Sequence, residues 1–272
     1  MAYSNFKATV WSKQIQLDLE KLMVFKEICN TKFQGDAGRG KTVKILGVTK
    51  PTVKDYVPGT AIDAAETPAD TSMELLIDQY KYSNFLVDDV DDAQSDVDIM
   101  KSLMKGSAQQ HAEVADAYIA KLVSGAKTVK GSAAITTPQQ AKDAIDEAFI
   151  SLWAEGVKTG RDTYIVVSPW FYLLFKNSLT EVLTDNVDMV ERGIFGMYNG
   201  AYVKMSNNLF NDGTDDYIVV MTKDAIAYAD GIDDVEAYRP QDSFSDAVKV
   251  LHTFGAKVVR PEQMVCMKVH KG

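Results

Sequence analysis

Residues 88–96 carry the sequence "DDVDDAQSD", and together with the stretch that follows they decide the fold. From Val97 to Leu122, small or apolar residues recur at every third or fourth position, and no proline interrupts before Pro138. This spacing is typical of an amphipathic helix, and aspartates at its start would cap its free N–H groups. We therefore predict a helix over about residues 91–123, which at 1.5 Å per residue is about 50 Å long.

The length of this helix indicates a flat or elongated molecule. A compact protein of 272 residues would be about 50 Å across, so one helix would cross all of it. A calcium-binding loop is the alternative for the acidic stretch, but an EF-hand loop needs alternating oxygen ligands and a central glycine. Residues 88–96 contain no glycine and carry their acids in adjacent pairs, so helix capping is favoured.

Two further segments precede the long helix. Residues 1–33 show apolar residues at helical spacing from Trp11 to Ile28, after a short lead. Residues 34–87 are polar and extended, and prolines at positions 51, 58 and 68 punctuate them. A two-stranded excursion of this size is unstable in isolation, so we expect a neighbouring subunit to hold it.

One complete motif lies at the start of the extended segment. "GDAGRGKT" at residues 35–42 matches the phosphate-binding loop of nucleotide hydrolases. That loop needs a buried strand before it and a helix after it, because the helix N-terminus helps to bind the phosphate. Here a helical pattern precedes the motif and a strand-like alternation follows it from Thr42. We interpret it as a glycine-rich turn, with a nucleotide-binding protein as the alternative.

Beyond the long helix, the pattern mixes helices and strands. Residues 125–137 are predicted to be a small-residue linker, followed by a helix that Thr137 caps, Pro138 begins and Gly156 ends. "TYIVV" predicts a buried strand, "WFYLLFKNSL" a second helix, and long strands close the chain. Because there is no regular βαβ alternation, we predict an α+β protein and not a doubly wound nucleotide fold.

The composition argues against several classes of protein. A net charge of −9 disfavours a sequence-reading nucleic-acid binder, and the N-terminus lacks the apolar core of a signal peptide. The apolar runs are too short to cross a bilayer. Two cysteines far apart in sequence indicate a reducing compartment and no disulfide framework. We expect a soluble protein made in the cytosol, without membrane contact.

No catalytic, cofactor or metal site is predicted. The chain has three histidines and lacks the sequence patterns of serine hydrolases and zinc proteases. Cys266 and His270 would lie about 13 Å apart on one strand, too far for proton transfer. His111 lies on the apolar side of the long helix and is predicted to be a core residue. "DGTDD" (212–216) and "DGIDD" (230–234) could hold a cation, but Asp-Gly pairs favour solvated turns.

Charge is distributed unevenly along the chain. Residues 32–54 contain six basic residues and one acid, whereas residues 88–98 contain six aspartates and no base. A basic arm and an acidic helix start could be complementary between copies in a head-to-tail contact, which builds rings or closed shells. Charge alone equally allows both segments to be merely solvated.

Four separated stretches, in the right order, resemble the major capsid protein family of tailed bacteriophages, which has the Hong Kong 97-type fold. "VWSKQIQLDLEKLMVFKEICN" is similar to the N-terminal arm of that family, and "VDDVDDAQSDVDIM" to the approach to its long spine helix. "ERGIFGMYNGAYVKMSNNL" and "VEAYRPQDSFSDAVKVLHTFGAKVVRP" are similar to later strands of its body. The resemblance covers nearly the whole chain.

The resemblance implies a division of the chain into an N-terminal arm (1–33), an extended loop or β-hairpin (34–87), a spine helix with the peripheral domain (88–136), an axial domain (137–239) and return strands of the peripheral domain (240–272). It implies a structural protein that is no enzyme and uses no cofactor. Hexamers and pentamers of the chain would tile an icosahedral shell in the virion, assembled in the host cytoplasm around double-stranded DNA. Scaffold, portal and decoration proteins are the other partners that the resemblance implies.

The resemblance also implies that the extended loop overlaps the next subunit, with the glycines of "GDAGRGKT" serving its first bend. Together with the charge pattern, this predicts inter-subunit contacts at Trp11, Arg39, Lys41, Lys44, Lys54, Asp88, Asp89, Asp91 and Asp92. The alternative within the same fold is an encapsulin-like compartment, which would enclose enzyme cargo in small, uniform shells.

Overall fold

The computed structural model describes residues 24–32, 42–48, 70–89, 99–160, 162–180 and 197–272, with isolated residues between 53 and 64. The helices in these ranges are α1 (Val24–Ile28), α2 (Ile99–Leu122), α3 (Pro138–Ala154) and α4 (Pro169–Thr180). The strands are β1 (Thr42–Val48), β2 (Asp70–Leu76), β3 (Gln79–Asp88), β4 (Thr128–Ile135), β5 (Thr163–Val167), β6 (Met197–Tyr198), β7 (Ala201–Met205), β8 (Asp216–Thr222), β9 (Ile226–Tyr238), β10 (Ser245–Val258) and β11 (Met264–Lys271). Helices and strands are mixed without βαβ repetition, as an α+β fold requires. None of the helices described combines the length and apolar character that crossing a membrane demands.

The largest sheet has six strands in the order β4-β11-β8-β5-β7-β6. Helices α3 and α4 pack together and against this sheet, which buries an apolar cluster that includes Ile145, Phe149, Phe171 and Ile218. Strand β4 joins the sheet at its edge, parallel to β11. The predicted linker over residues 125–137 is therefore wrong, because a partner strand supplies the hydrogen bonds that small residues alone do not predict.

The boundaries of α3 confirm the sequence prediction. The Thr137 side chain accepts the N–H of Gln140, and the Gln140 side chain accepts the N–H of Thr137, which forms a capping box. After the helix, Gly156 has φ = +76°, a conformation that side chains disfavour, and its N–H donates to the Trp153 carbonyl. Strand β5 and helix α4 are also confirmed at the predicted positions.

The second sheet has three antiparallel strands in the order β3-β10-β9, and α2 packs against one of its faces. We call this covered face the inner sheet face and the opposite one the outer sheet face. Met104, Ala108 and Ala115 of α2 are buried against Val250 and other inward residues. The 24 described residues of α2 span about 36 Å, and the helix ends within one residue of the predicted C-terminus. Residues 91–98 of the prediction lie outside the described residues.

The acidic stretch at residues 230–234 corrects another prediction. It was expected to be a solvated turn, but it lies inside the continuous strand β9. Between Asp230 and Asp233 the strand contains one residue more than its partner β10, which is a β-bulge. The bulge reverses the alternation, so that Asp230 and Val235 both face inward although five positions separate them. At residues 212–216 the turn is confirmed, because the Asp212 side chain accepts the N–H groups of Thr214 and Asp215.

Strands β1 and β2 form an antiparallel hairpin that we call the extended hairpin. The alternation predicted from Thr42 is confirmed, because Val43 and Ile45 are buried. They pack with Leu75 against Ala227 and Ala229, so the hairpin base covers one end of the outer sheet face. Gly255 of β10 permits this contact, since a Cβ atom there would lie 2.1 Å from the Leu76 carbonyl oxygen.

The sheets do not follow the predicted segment boundaries. Strand β3 comes from the predicted extended loop and β9 from the predicted axial domain, yet both pair with β10. Conversely, β4 and β11 flank the predicted axial domain in sequence and both belong to the six-stranded sheet. Chain order and spatial order differ because β10 and β11 are neighbours in sequence but enter different sheets.

Candidate functional site

Three of the nine predicted contact residues lie in the part of the chain that the structure describes. Lys44 lies on β1, Asp88 ends β3 and Asp89 follows it. The remaining six lie outside the described residues: Trp11, Arg39, Lys41, Lys54, Asp91 and Asp92. The described residues among the predicted contacts therefore lie in two places, one on the extended hairpin and one at the end of the three-stranded sheet.

Lys44 is exposed on the extended hairpin. Because Val43 and Ile45 on either side of it are buried, its side chain points away from the hairpin base and into solvent. Its partner in the strand register is Glu74 of β2. This position makes Lys44 available to a second copy of the chain.

Asp88 and Asp89 lie at one end of the three-stranded sheet. Asp88 is opposite Ser245 in the β3–β10 register, and the Asp89 backbone N–H donates to the Phe244 carbonyl at 3.0 Å. The Asp89 carboxylate forms an ion pair with Arg239. Asp89 is therefore used within the chain, where it joins β3 to the connection between β9 and β10. Phe244 in that connection is 82% exposed.

The uncovered part of the outer sheet face carries apolar side chains that the sequence prediction missed. Along β3, every second residue from Tyr80 to Leu86 is exposed, including Tyr82 at 80% exposure. Leu251, opposite Tyr82 on β10, is also exposed. The alternation of side chains in "QYKYSNFLVD" predicts a strand with two different faces, but the sequence does not indicate which of these faces α2 covers.

Polar contacts across the same face hold these strands together. Asn84 on β3 and the Tyr238 hydroxyl on β9 are within hydrogen-bond distance over the intervening strand β10. Lys249 on β10 pairs with Glu236 at 2.7 Å and lies over the Tyr238 ring. The exposed part of the outer face thus carries Tyr82 and Leu251 on the side towards the hairpin base, polar side chains at Asn84 and Lys249 in the middle, and Leu86 beyond them.

A serine, a histidine and an aspartate meet at the end of the six-stranded sheet, but their geometry is not that of a hydrolase. His270 Nδ1 lies 2.8 Å from Asp215 Oδ1 and 3.2 Å from Ser132 Oγ, and Ser132 also contacts Asp215 directly. A catalytic triad needs the serine and the aspartate on opposite ring nitrogens. Here both bind Nδ1, so the histidine cannot relay a proton between them.

Other features also fail to form a reactive centre. Burial raises the pKa of the Cys266 thiol to about 12 and that of Cys29 further still, so neither is a thiolate at neutral pH. Among the described residues, no group of three or more histidine, cysteine and acidic side chains could hold a metal ion. A cavity of about 650 Å³ near Lys32 has three lysines and four carboxylates in its lining, which does not favour a phosphate group.

The motif "GDAGRGKT" does not meet the requirements of a phosphate-binding loop at its C-terminal side. Thr42, its last residue, begins strand β1, where a nucleotide-binding loop would continue into a helix. Residues 33–41 lie outside the described part of the chain. The glycine-rich turn therefore remains the preferred interpretation.

Comparison with known proteins gives a family. The model of a family described as phage capsid protein matches residues 72–267. A structure from Mycobacterium phage Che8 is 33% identical with a TM-score of 0.77, and the alignment covers 90% of each chain. The capsid structure of the Cyanophage P-SCSP1u is 17% identical with a TM-score of 0.71, covering 92% of this chain and 89% of that one. Among curated protein sequences there is no significant match.

A third structure bears on the alternative within the same fold. The virus-like particle from Pyrococcus furiosus has a TM-score of 0.60 and 10% identity, covering 98% of this chain and 100% of that one. At that identity the likeness concerns the fold alone. The extended hairpin, the long helix, the two body sheets and the family match over residues 72–267 agree with one another, and the chain belongs to the phage capsid protein family.

Proposed function

We propose that this chain tiles the icosahedral head of a tailed phage as hexamers and pentamers and encloses double-stranded DNA without reading its sequence. The observation that carries the proposal is the 33% identity to the Mycobacterium phage Che8 structure over 90% of both chains. The net charge of −9 is compatible with this role, because a strongly basic lining would bind DNA indiscriminately. The role is mechanical and needs no catalysis, and assembly would take place in the host cytoplasm with scaffold, portal and decoration proteins.

We propose that the uncovered outer sheet face receives the extended hairpin of the next copy. Within one chain, the hairpin base already covers the other end of this face through contacts such as Val43 with Ala227. The open end presents Tyr82, Leu86 and Leu251, which would lose water contact beneath a second hairpin. A contact of this kind uses two different surfaces, so it is heterologous and closes into rings.

Charge would fix the register of this contact. The hairpin brings Lys44 and, from residues outside the described part, Arg39, Lys41 and Lys54. The receiving end brings Asp88 and Asp89, followed in sequence by Asp91 and Asp92. Opposite charges at two ends of a contact accelerate association and disfavour wrong registers. Trp11 would contribute from the N-terminal arm.

We keep the predicted division into a peripheral and an axial domain, but we assign different strands to each of them. The peripheral part would comprise α2 with β3, β9 and β10, and the axial part the six-stranded sheet with α3 and α4. The segment boundaries of the sequence prediction would then separate connected strands only approximately, since both sheets draw on distant parts of the chain.

Electron microscopy with light scattering tests the proposal on the full chain, expressed with and without its scaffold protein. We expect shells, tubes or capsomer rings from the wild type. The variant Tyr82→Ser/Leu86→Ser should remain unassembled with an unchanged circular dichroism spectrum. Leu173→Ser on α4 is the matched control, because Leu173 is exposed to the same degree as Leu86 and lies outside the proposed contact. Assembly of the double variant at the wild-type rate would contradict the proposed surface.

A charge exchange tests the register. We expect Lys44→Glu and Asp88→Lys each to slow assembly and the combined variant to recover part of the rate, because the pair then attracts again. Equal behaviour of all three variants would remove these residues from the contact.

The contents of shells formed in infected cells separate the phage head from an encapsulin-like compartment. Packaged DNA supports the phage head, whereas enzyme cargo in small, uniform shells supports the compartment.

The nucleotide-binding alternative predicts binding of ATP with Mg²⁺ that Lys41→Ala abolishes.

A further inference from the structure

Ionisable side chains form a connected group inside the core between α2 and the three-stranded sheet. His111 of α2 and His252 of β10 are 5% and 2% exposed, and Asp230 of β9 is 8% exposed. Lys26 of α1 reaches Asp230 from the other side. We call these four residues the buried histidine cluster. It joins α1, α2 and the consecutive strands β9 and β10, which come from three separate parts of the sequence.

The two histidines are in direct ring contact. Their ring centroids are 5.9 Å apart and the planes meet at 80°, so the edge of one ring faces the other. His111 Nε2 lies 3.1 Å from Ser83 Oγ of β3, and Ser83 contacts Ser107 of α2 at 2.7 Å. His252 packs beside Phe254 at 5.0 Å between ring centroids. Both rings are therefore packed between the helix and the sheet.

One carboxylate serves several partners in the cluster. Asp230 Oδ2 lies 2.7 Å from Lys26 Nζ, and Asp230 Oδ1 accepts the Tyr228 hydroxyl and lies 3.5 Å from His252 Nε2. Lys26 already neutralises this single negative charge. A proton added to either imidazole therefore introduces a net positive charge into a site that is shielded from water.

We propose that His111 and His252 form a proton-sensitive joint, which holds α2 against the three-stranded sheet at neutral pH and loosens when the pair is protonated. Two like charges at this separation repel, and burial prevents water from screening them. The joint concerns the subunit itself and does not depend on the kind of shell that the chain forms.

Charged residues of both signs lie on the elements that pack against the two histidines. Lys81 of β3 stands opposite His252 in the strand register and adds a positive charge on the inner side. Asp233 of β9 pairs with His252 in the other register. On α2, Asp116 lies near α1, where it accepts the backbone N–H groups of Val24 and Phe25. On α1, Glu27 pairs with Lys204.

The direction of the His111 pKa supports the joint. Burial lowers it below the ordinary value, and the neighbouring His252 lowers it further. A lowered histidine pKa means that the folded chain prefers the neutral ring. The resulting stabilisation is complete above the ordinary histidine pKa and is lost as the pH falls through the lowered one.

Hydrogen–deuterium exchange of the full chain tests the proposal, with rates corrected for the intrinsic effect of pH. Between about pH 7.5 and about pH 5.5, we expect the protection of residues 100–112 in α2 to fall several-fold, because the folded chain prefers the neutral His111 ring. Helix α3 provides the internal reference and should keep its protection. The variant His111→Gln/His252→Gln should no longer lose protection in α2 as the pH falls, because glutamine stays neutral, and the Asp116 carboxyl then acts in the opposite direction.

The chain has three histidines, so the third one, His270, provides a control for the loss of a histidine outside the cluster. His270→Gln should behave like the wild type, since His270 lies at the end of the six-stranded sheet. Should the double variant not fold, Lys26→Met provides the second test. It frees Asp230 to neutralise a protonated His252, and we expect a smaller loss of protection at low pH. An α2 whose protection does not fall at low pH in the Asp116→Asn background, an equal loss in α3, or an equal loss in the double variant would overturn the proposal.

Discussion

The core beneath the six-stranded sheet and the core beneath the three-stranded sheet bury different chemistry. Around Phe149 and Ile218 the first is apolar, and the buried carboxylate of Asp215 lies at the end of the sheet beside His270. The second, in the part of the chain that is described, contains four buried carboxylates and imidazoles: His111, Asp116, Asp230 and His252.

The two cores are therefore stabilised by different interactions. An apolar core is stabilised by buried area and close packing, neither of which depends on pH. A core with buried charges is stable only while each charge keeps its partners, because an unpaired buried charge is strongly unfavourable. The six-stranded sheet with α3 and α4 should therefore keep its stability as the pH changes, whereas the stability of the part around α2 should depend on pH.

The largest effect is expected in the apolar core. Phe149→Ala removes a fully buried ring that packs beside Trp153 and Tyr198. Deletion of such a ring leaves a cavity and typically lowers the free energy of unfolding by about 3–5 kcal/mol. Urea unfolding of the unassembled chain measures this change at several pH values. The loss should be the same at each pH.

Ile150→Ala is the matched control for Phe149→Ala. Ile150 is the next residue on α3 and is 61% exposed, so its truncation should leave the free energy of unfolding nearly unchanged. A large loss in this control, or a loss for Phe149→Ala that depends on pH, would remove the contrast between the two cores.

The next largest effect lies where the extended hairpin meets the three-stranded sheet. In Gly255→Ala the new Cβ atom would lie 2.1 Å from the Leu76 carbonyl oxygen and 2.9 Å from the Ile77 Cα atom. Both are backbone atoms, so β2 must move away from β10, and we expect a loss of about 1–3 kcal/mol. Limited proteolysis should cleave the hairpin faster in this variant.

Gly131→Ala controls for the loss of a glycine as such. A Cβ atom at Gly131 on β4 meets nothing within 4 Å, so this variant should unfold like the wild type or at slightly higher denaturant. Equal proteolysis of the two variants would show that the hairpin base is not held by the close approach at Gly255.

How much of this could be predicted from the sequence depends on the range of the interactions. The start of α3 was predictable because the Thr137–Gln140 capping box is contained in four adjacent residues. Strand β4 was not, since its sequence is rich in small residues and its partner β11 lies far along the chain. The bulge in β9 was missed for a similar reason: Asp-Gly signals a change of direction, and only pairing with β10 makes that change a bulge.

The candidate sites follow the same rule. His111 was predicted to be a core residue from its place on an apolar helix face, which is a local pattern. The cluster around it could not be predicted, because Lys26, Asp230 and His252 come together only through the tertiary fold. The alternation of β3 was visible in the sequence, but the exposure of Tyr82 depends on which face α2 covers.

A smaller effect is expected from Asp116, and its dependence on pH is opposite in sign to that of His111. Burial raises its pKa to about 6, although the N–H groups of Val24 and Phe25 lower it in part. A raised carboxyl pKa contributes stability that is complete below the ordinary value of about 3.9 and is lost as the pH rises through 6. As the pH falls from about 7.5 to about 5, the wild type should therefore gain about 1 kcal/mol relative to Asp116→Asn. Urea unfolding at both pH values measures the difference.

This sign distinguishes Asp116 from the histidines in the same core. Protonation is favourable at Asp116 and unfavourable at His111, so the two contributions oppose each other as the pH falls. Asp215→Asn, at the end of the other sheet, is the control for a carboxylate lost elsewhere. If Asp116→Asn shifted with pH in the opposite direction, the carboxylate would be held as an anion by its two N–H partners, and burial would not be the dominant effect.

The smallest effect is expected on the outer sheet face, where a second ion pair lies on the same strand as Asp230. Glu236 and Lys249 are 60% and 50% exposed and 2.7 Å apart, whereas Lys26 and Asp230 are 15% and 8% exposed at the same distance. Water and salt screen the exposed pair, so Glu236→Gln should leave the unfolding midpoint unchanged within about 1 °C.

Lys26→Met should lower the midpoint clearly, because it leaves the Asp230 carboxylate buried without its cation. Both variants are measured at low and at high salt by thermal unfolding of the unassembled chain. Equal losses would mean that the distance between the charges, and not their burial, decides what an ion pair contributes, and the contrast drawn between the two cores would lose its physical basis.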